Sequence, residues 1–293
     1  MDCVFKNMCV FILTSVFGRS VFNHRGVKMA NKAMKYRVHP TTEQRIRFAK
    51  TFGCCRKVYN LMLSDKIEGY KASGKFPTVT PAKDKDEYPY PREVDSLALA
   101  NKQMDLQEAF RSRFSKSRKK NNGFPKYKSA KHSRKSYTSN NQKGTVATLD
   151  NQYIKLPKIG KVKAIIYRIP DNSWVIKSAT VSQESDGKDY ISLLFEFDNA
   201  INPDVADKTN AIGLGYASDG LYIASNGNVG TNHKYYHESH DKLAKAQRRL
   251  SCRQGSKKHE GKSNNDIQQL RKVNKIYRHI ANQRLNHQHK IST

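Results

Sequence analysis

Residues 111–143 carry twelve Lys and Arg and no acid. Arg111, Arg113, Arg118, Lys119, Lys120, Lys126, Lys128, Arg134 and Lys135 supply most of that charge, and Phe114, Phe124, Tyr127 and Tyr137 are interleaved with it. Cations neutralise phosphates and rings offer stacking faces to bases, so this pattern is expected to contact nucleic acid and not to be a plain solvated loop. A second basic stretch, LPKIGKVKA at 156–164, projects Lys158, Lys161 and Lys163, with Lys155 just before it. It is expected to form a turn that grips a phosphate backbone. Arg45, Arg56 and Lys57 lie on the polar side of an amphipathic helix, and Arg248 and Arg249 on a later one.

Groups for bond-breaking chemistry are sparse. The segment AIGLGYASDGLYIASNG at 211–227 reads as two short apolar runs joined by a turn at Ser218, Asp219 and Gly220. Asp219 reads as an ordinary turn residue beside Gly220. His233 and His237 have the i, i+4 spacing of a metal pair if helical, with His240 following, but histidines so placed read as solvated surface. The five cysteines (Cys3, Cys9, Cys54, Cys55, Cys252) are odd in number, and none forms a C-x-x-C pair. Neither a zinc ribbon nor a disulfide framework follows, and a reducing compartment is the default.

These groups sit in 293 residues with a formal charge of +29, enough chain for one large or two modest domains. Such an excess in a chain that is 37% apolar points to a polyanion. No long basic and aromatic amphipathic helix argues for a membrane surface. The apolar run CVFILTSVF at 9–17 is too short to span a bilayer. Residues 1–28 are expected to be a spurious or disordered extension, with the chain proper starting at Met29.

The elements that must position the cations follow from periodicity. MKYRVH at 34–39 alternates as a strand. Thr41 and Gln44 are spaced as a capping box opening a helix whose apolar face holds Ile46, Ala49, Phe52, Cys55, Tyr59 and Met62. A second helix starts near Asp95, with Leu99, Leu106, Phe110 and Phe114 on one side. Runs at 153–156, 162–167, 176–182 and 190–197 are β-branched or aromatic between turn residues and predict a small antiparallel barrel or sheet. Trp174, the only tryptophan, belongs in its core or at its rim. Residues 199–210 read as a linker, and helices at 240–253 and 266–289 form an antiparallel pair.

KYRVHPTTEQ, REVDSLAL, FPKYKS, RKSYT, LPKIGKVK, AIGLGY, KLAKAQRRLS and YRHIANQR, in that order over residues 34–293, resemble the TnpB family of transposon-encoded RNA-guided nucleases, also called OrfB transposases. The resemblance implies an α+β fold: a wedge-like antiparallel β-barrel (29–40 and 144–198), a helical recognition lobe with the basic loop (41–143), and an incomplete RNase H-like (RuvC) domain with an inserted helical pair (211–293). It implies guide RNA and DNA as partners, with guide pairing supplying sequence specificity. No small-molecule substrate is implied, a partner transposase stays open, and the setting is cytoplasmic and nucleoid-associated. Family members carry a catalytic Asp two residues after the Gly that is Gly213 here, where this chain has Gly215. The family's Glu, last Asp and zinc ribbon lie beyond the segment matching HKIST. The resemblance therefore implies a C-terminally truncated, catalytically inactive member that needs neither the family's Mg²⁺ nor its Zn²⁺. The alternatives are a nuclease-dead RNA-guided repressor and a non-functional remnant of a transposase gene.

Overall fold

The computed structural model describes residues 21–22, 28–83, 88–114, 123–131, 133–149, 152–168, 170–171, 173–198, 212–217, 220–255 and 263–292. Arg118, Lys119, Lys120, Asp219, the apolar run at 9–17 and the expected linker at 199–210 lie outside them. The chain divides into two compact units, residues 1–184 with 188–200, and residues 185–187 with 201–293.

The first unit begins with β1 (Val21–Phe22), which pairs with β2 (Lys28–His39). Helix α1 (Thr42–Ser73) starts where the sequence puts its cap. The Thr41 side chain accepts from the Gln44 N–H at 3.3 Å while Gln44 Oε1 accepts from the Thr41 N–H at 3.1 Å, satisfying two donors that the helix would otherwise leave unpaired. Gly74 ends it in the left-handed conformation, φ 69°, its N–H donating to Tyr70 O at 2.8 Å. The buried face consists of Phe48, Thr51, Phe52, Cys54, Cys55, Val58, Tyr59, Met62 and Leu63. Ile46 and Ala49, expected on that face, are exposed instead. The first turns dock by hydrogen bonds, Gln44 Nε2 to Lys161 O at 2.8 Å and an Arg47 guanidinium N–H to Lys158 O at 3.1 Å, so they need no apolar stripe there.

Helix α2 (Ser96–Phe114) buries Ala98, Leu99, Leu106 and Phe110, while Phe114 is exposed. Asp95 holds its start: Oδ1 accepts from the Leu97 N–H at 3.3 Å and Oδ2 from the Ser139 hydroxyl. Ser139 belongs to β3 (Lys135–Asn140), a strand where the sequence reading places a basic loop. The other strands are β4 (Ala147–Leu149), β5 (Tyr153–Leu156), β6 (Gly160–Ile165), β7 (Val175–Gln183) and β8 (Asp189–Asp198). They pair antiparallel in the order β3-β7-β8-β2-β6-β5-β4.

The expected barrel is thus an open, curled half-barrel, because among the described residues no ladder joins β3 to β4. Strand alternation turns Met34, Tyr36, Val38, Tyr137, Ile154, Val162, Val181, Ile191, Leu193 and Phe195 inward, where they form one core with α1 and α2. Trp174 sits half-buried at the rim, stacked on Phe197 at 4.4 Å.

The second unit holds a three-stranded sheet, β11-β10-β9, of β9 (Leu214–Tyr216), β10 (Tyr222–Ala224) and β11 (Val229–Gly230). Helices α3 (Tyr235–Gly255) and α4 (Asn264–Ser292) run antiparallel, since Arg253 bonds Asn265 O, Gln269 bonds Ala246 O and Gln247 bonds the Tyr277 hydroxyl. Leu243, Val273 and Ile280 are buried in this unit. No helix among the described residues is long and apolar enough to cross a membrane.

Candidate nucleic-acid interface

The β5–β6 hairpin sorts its residues by strand period. Ile154, Leu156, Val162 and Ala164 face the core, and Lys155, Lys161 and Lys163 face solvent. Lys155 pairs with Lys161 across the ladder, Lys163 lies between Tyr153 and His39, and Arg37 pairs with Ile165. All of these residues share the outer face of the sheet. Like charges placed opposite one another are unfavourable, and none of Arg37, Lys155, Lys161 and Lys163 forms an ion pair among the described residues. Lys158 occupies the hairpin turn with φ 61°, a left-handed backbone unusual for a side chain of that size. Arg37 escaped the sequence reading, although the alternation of MKYRVH, which was legible, puts it on this face.

On α1, Lys57 is exposed, with its ammonium 5.7 Å from the Tyr88 ring, and Arg56 is half-buried. Arg45 is more constrained: its Nε lies 3.7 Å from Oδ2 of Asp189, a carboxylate buried at the start of β8. Burial pushes the Asp189 carboxyl above its ordinary value, opposed by the Gln183 hydrogen bond and by the Arg45 and Lys135 charges.

In the basic segment the rings divide into two groups. Tyr127 is 56% exposed. Phe124 meets Phe110 edge-on at 5.4 Å and is still partly exposed; Phe110 and Phe114 also pack on Phe76. Tyr137 must be corrected. It is 3% exposed, on the inner side of β3 with its ring 5.7 Å from Phe52, and so cannot stack on a base. Burial drives its hydroxyl pKa sharply upward.

Lys126, Arg134 and Lys135 are exposed; Lys128 is half-buried, its backbone held by both amide atoms of Asn60 at 2.8 and 2.9 Å. Arg111 and Arg113 are exposed in the last turn of α2, Arg111 3.4 Å from Glu108. In the second unit Arg248 and Arg249 are exposed on α3.

Position 215 pairs with Ile223 inside β9, and Gly213 is tied to Ser225 by hydrogen bonds of 2.8 and 3.1 Å. Residues 212–217 carry no carboxylate. A Cβ on Gly215 would meet only Ile223 O at 3.7 Å, and one on Gly213 only Ser225 at 3.6 Å, so either position has room for a side chain. Mg²⁺ needs several hard oxygen ligands, and no group of three or more His, Cys, Asp or Glu able to hold a metal occurs among the described residues. The described residues do not assemble a two-metal nuclease site. His233 packs against His287 at 4.7 Å and Tyr235 at 5.4 Å instead of joining a ligand cluster with His237 and His240.

Residues 29–75 match an OrfB family described as a helix-turn-helix domain. In the structure that stretch is strand β2 followed by one uninterrupted helix of 32 residues. The chain is 31% identical over 277 residues to a Streptomyces pristinaespiralis protein named "Putative RNA-guided DNA endonuclease", covering 91% of this chain and 64% of the relative. It is 27% identical over 270 residues to an Escherichia coli protein named "Putative RNA-guided DNA endonuclease InsQ", covering 89% of this chain and 62% of that relative. The chain thus spans under two thirds of the length of these curated relatives.

Proposed function

We propose, from the premise that the chain belongs to the TnpB (OrfB) family, that it binds guide RNA and DNA by their backbones and does not cut them. The observation that carries the binding half is the outer face of the sheet: Arg37, Lys155, Lys161 and Lys163 stand on adjacent strands with no acidic partner among the described residues. Unpaired cations in rows release counterions when phosphates replace solvent, which favours any nucleic-acid backbone whatever its sequence. The exposed Tyr127 and the partly exposed Phe124 add stacking faces in the same segment as Lys126. Lys57, Arg111, Arg113, Arg134, Lys135, Arg248 and Arg249 extend the contacts within their own units.

The second half rests on β9. An RNase H-like reaction needs carboxylates bridging two metal ions, and neither Gly213 nor Gly215 can supply one. RNA-guided binding asks only for backbone contacts and base pairing. The test is to titrate the full chain into a labelled structured RNA at several salt concentrations and then add Mg²⁺ and guide-matched DNA. Tight, steeply salt-dependent binding without strand scission is expected. Weak binding that is flat with ionic strength would overturn the first half, and cleavage the second.

A further inference from the structure

The outer lysines do not account for a cavity of about 270 Å³ on the helical side of the first unit. Its floor is Phe52 and the Cys55 thiol of α1, both buried. Arg56 comes from α1, Lys102 and Asp105 from α2, Lys128 and Arg134 from the basic segment, and Lys135 from β3. Five cations from three separate stretches of chain (α1, α2 and residues 128–135) therefore converge on one hollow that holds one acid. Lys102 is paired with Asp105 at 2.6 Å, and Lys135 reaches Gln183 at 3.1 Å. Arg56 and Arg134 have no acidic partner among the described residues. The Lys128 ammonium lies 3.6 Å from the centre of the Tyr59 ring, on a side chain that is half-buried. Its pKa is lowered first by burial and then by the Lys102 charge, which together outweigh the opposing charge of Asp105. Burial pushes Cys55 up to about 12, so the floor supplies no thiolate to balance the charge.

Resting on the nucleic-acid reading above, we propose that this cavity binds one phosphate group of a nucleic-acid strand, with the guanidinium groups of Arg56 and Arg134 as its principal partners. At about 270 Å³ the hollow lies just below the range of about 300–1,000 Å³ that drug-sized ligands occupy, so it suits a group as small as one phosphate and excludes a duplex. Guanidinium groups hold phosphate oxygens by paired N–H donors, and the hydroxyls of Ser133 and Ser136 add neutral donors at the wall. The backbone of Lys128 is pinned to α1 through Asn60, so this part of the wall is positioned before a ligand arrives.

The experiment compares the full-length chain with Arg56→Gln/Arg134→Gln and with a charge-matched control, Lys71→Gln/Lys75→Gln, at exposed positions away from the cavity. Thermal midpoints are read in potassium phosphate and in potassium chloride of equal ionic strength. Binding of a single-stranded RNA is read against salt. The wild type and the control should gain extra stability in phosphate that the cavity variant lacks. The cavity variant should bind RNA about fourfold more weakly near 0.15 M salt, with a log–log slope smaller by about 0.7, the value for one lost phosphate contact on a single strand. A cavity variant indistinguishable from the control in both readings overturns the site. Loss of the phosphate effect with RNA binding unchanged also overturns it, because the hollow would then take free anion and not a strand. If the wild type itself fails to bind RNA, the broader functional reading is what has failed.

Discussion

The outer face of β5 and β6 permits a quantitative test. In Lys155→Gln/Lys161→Gln/Lys163→Gln, three exposed side chains lose their charge while the inward partners Ile154, Leu156, Val162 and Ala164 are untouched. Each phosphate neutralised contributes about 0.7 to the salt slope on a single strand and about 0.9 on a duplex, so three contacts amount to about 2.1–2.7. Extrapolated from 1 M to about 0.15 M salt, a slope change of that size corresponds to about 1.7–2.2 decades of affinity, roughly 50- to 150-fold. In energy that is about 2.4–3 kcal/mol. Folding should not suffer, since the substitution removes the unfavourable Lys155–Lys161 pairing across the ladder. The assay is fluorescence anisotropy of a labelled structured RNA at salt concentrations from about 50 to about 200 mM, with urea melts to confirm equal stability. An unchanged slope in a folded triple variant would refute the reasoning, even if affinity fell, because loss of charge without loss of counterion release means that these lysines touch no phosphate.

Other consequences are quicker to check. Tyr137→Ala should destabilise the first unit by about 3–5 kcal/mol in urea unfolding, because a buried ring is lost from beside Phe52. Tyr127→Ala should leave stability within about 0.5 kcal/mol and weaken single-stranded RNA binding by about 1–3 kcal/mol. Asp189 binds its proton more tightly folded than unfolded, so its contribution favours the fold in acid and is lost as pH rises from 3.8 through its raised value. Thermal midpoints of Asp189→Asn should lack that acid-side gain, and a variant that keeps it shows that another group is responsible. Gly213→Asp and Gly215→Asp should each fold, having room for a Cβ, yet neither should cleave guide-matched DNA with Mg²⁺, since one carboxylate does not make a two-metal site.

Legibility followed the range of the interactions. The Thr41–Gln44 cap spans four residues and was readable in full, as was the alternation that sets Lys155, Lys161 and Lys163 outward. Strand β3 was not readable, because KSYTSN has a single apolar residue and is made a strand by its pairing with β7, about forty residues downstream. That pairing also moved Tyr137 from candidate stacking ring to core. Ile46 looked buried because its spacing suits a helix stripe, whereas polar docking onto the β5–β6 turn settles which way that end of α1 faces. The cavity had no local signal at all: Arg56, Lys102 and Arg134 meet only through the tertiary fold.

The small sheet of the second unit bears on how the molecule behaves in a tube. Ile212, Leu214, Tyr216, Ile223 and Val229 are each more than half exposed, and β9 and β11 pair with no further strand among the described residues. Strands of this kind recruit other strands. Mutual repulsion from the +29 charge opposes such encounters in dilute buffer, but its reach shrinks to about 3 Å at 1 M salt. Ions that screen contacts to phosphate therefore also remove the chain's protection against self-association. Light scattering should rise over the same salt range in which anisotropy falls.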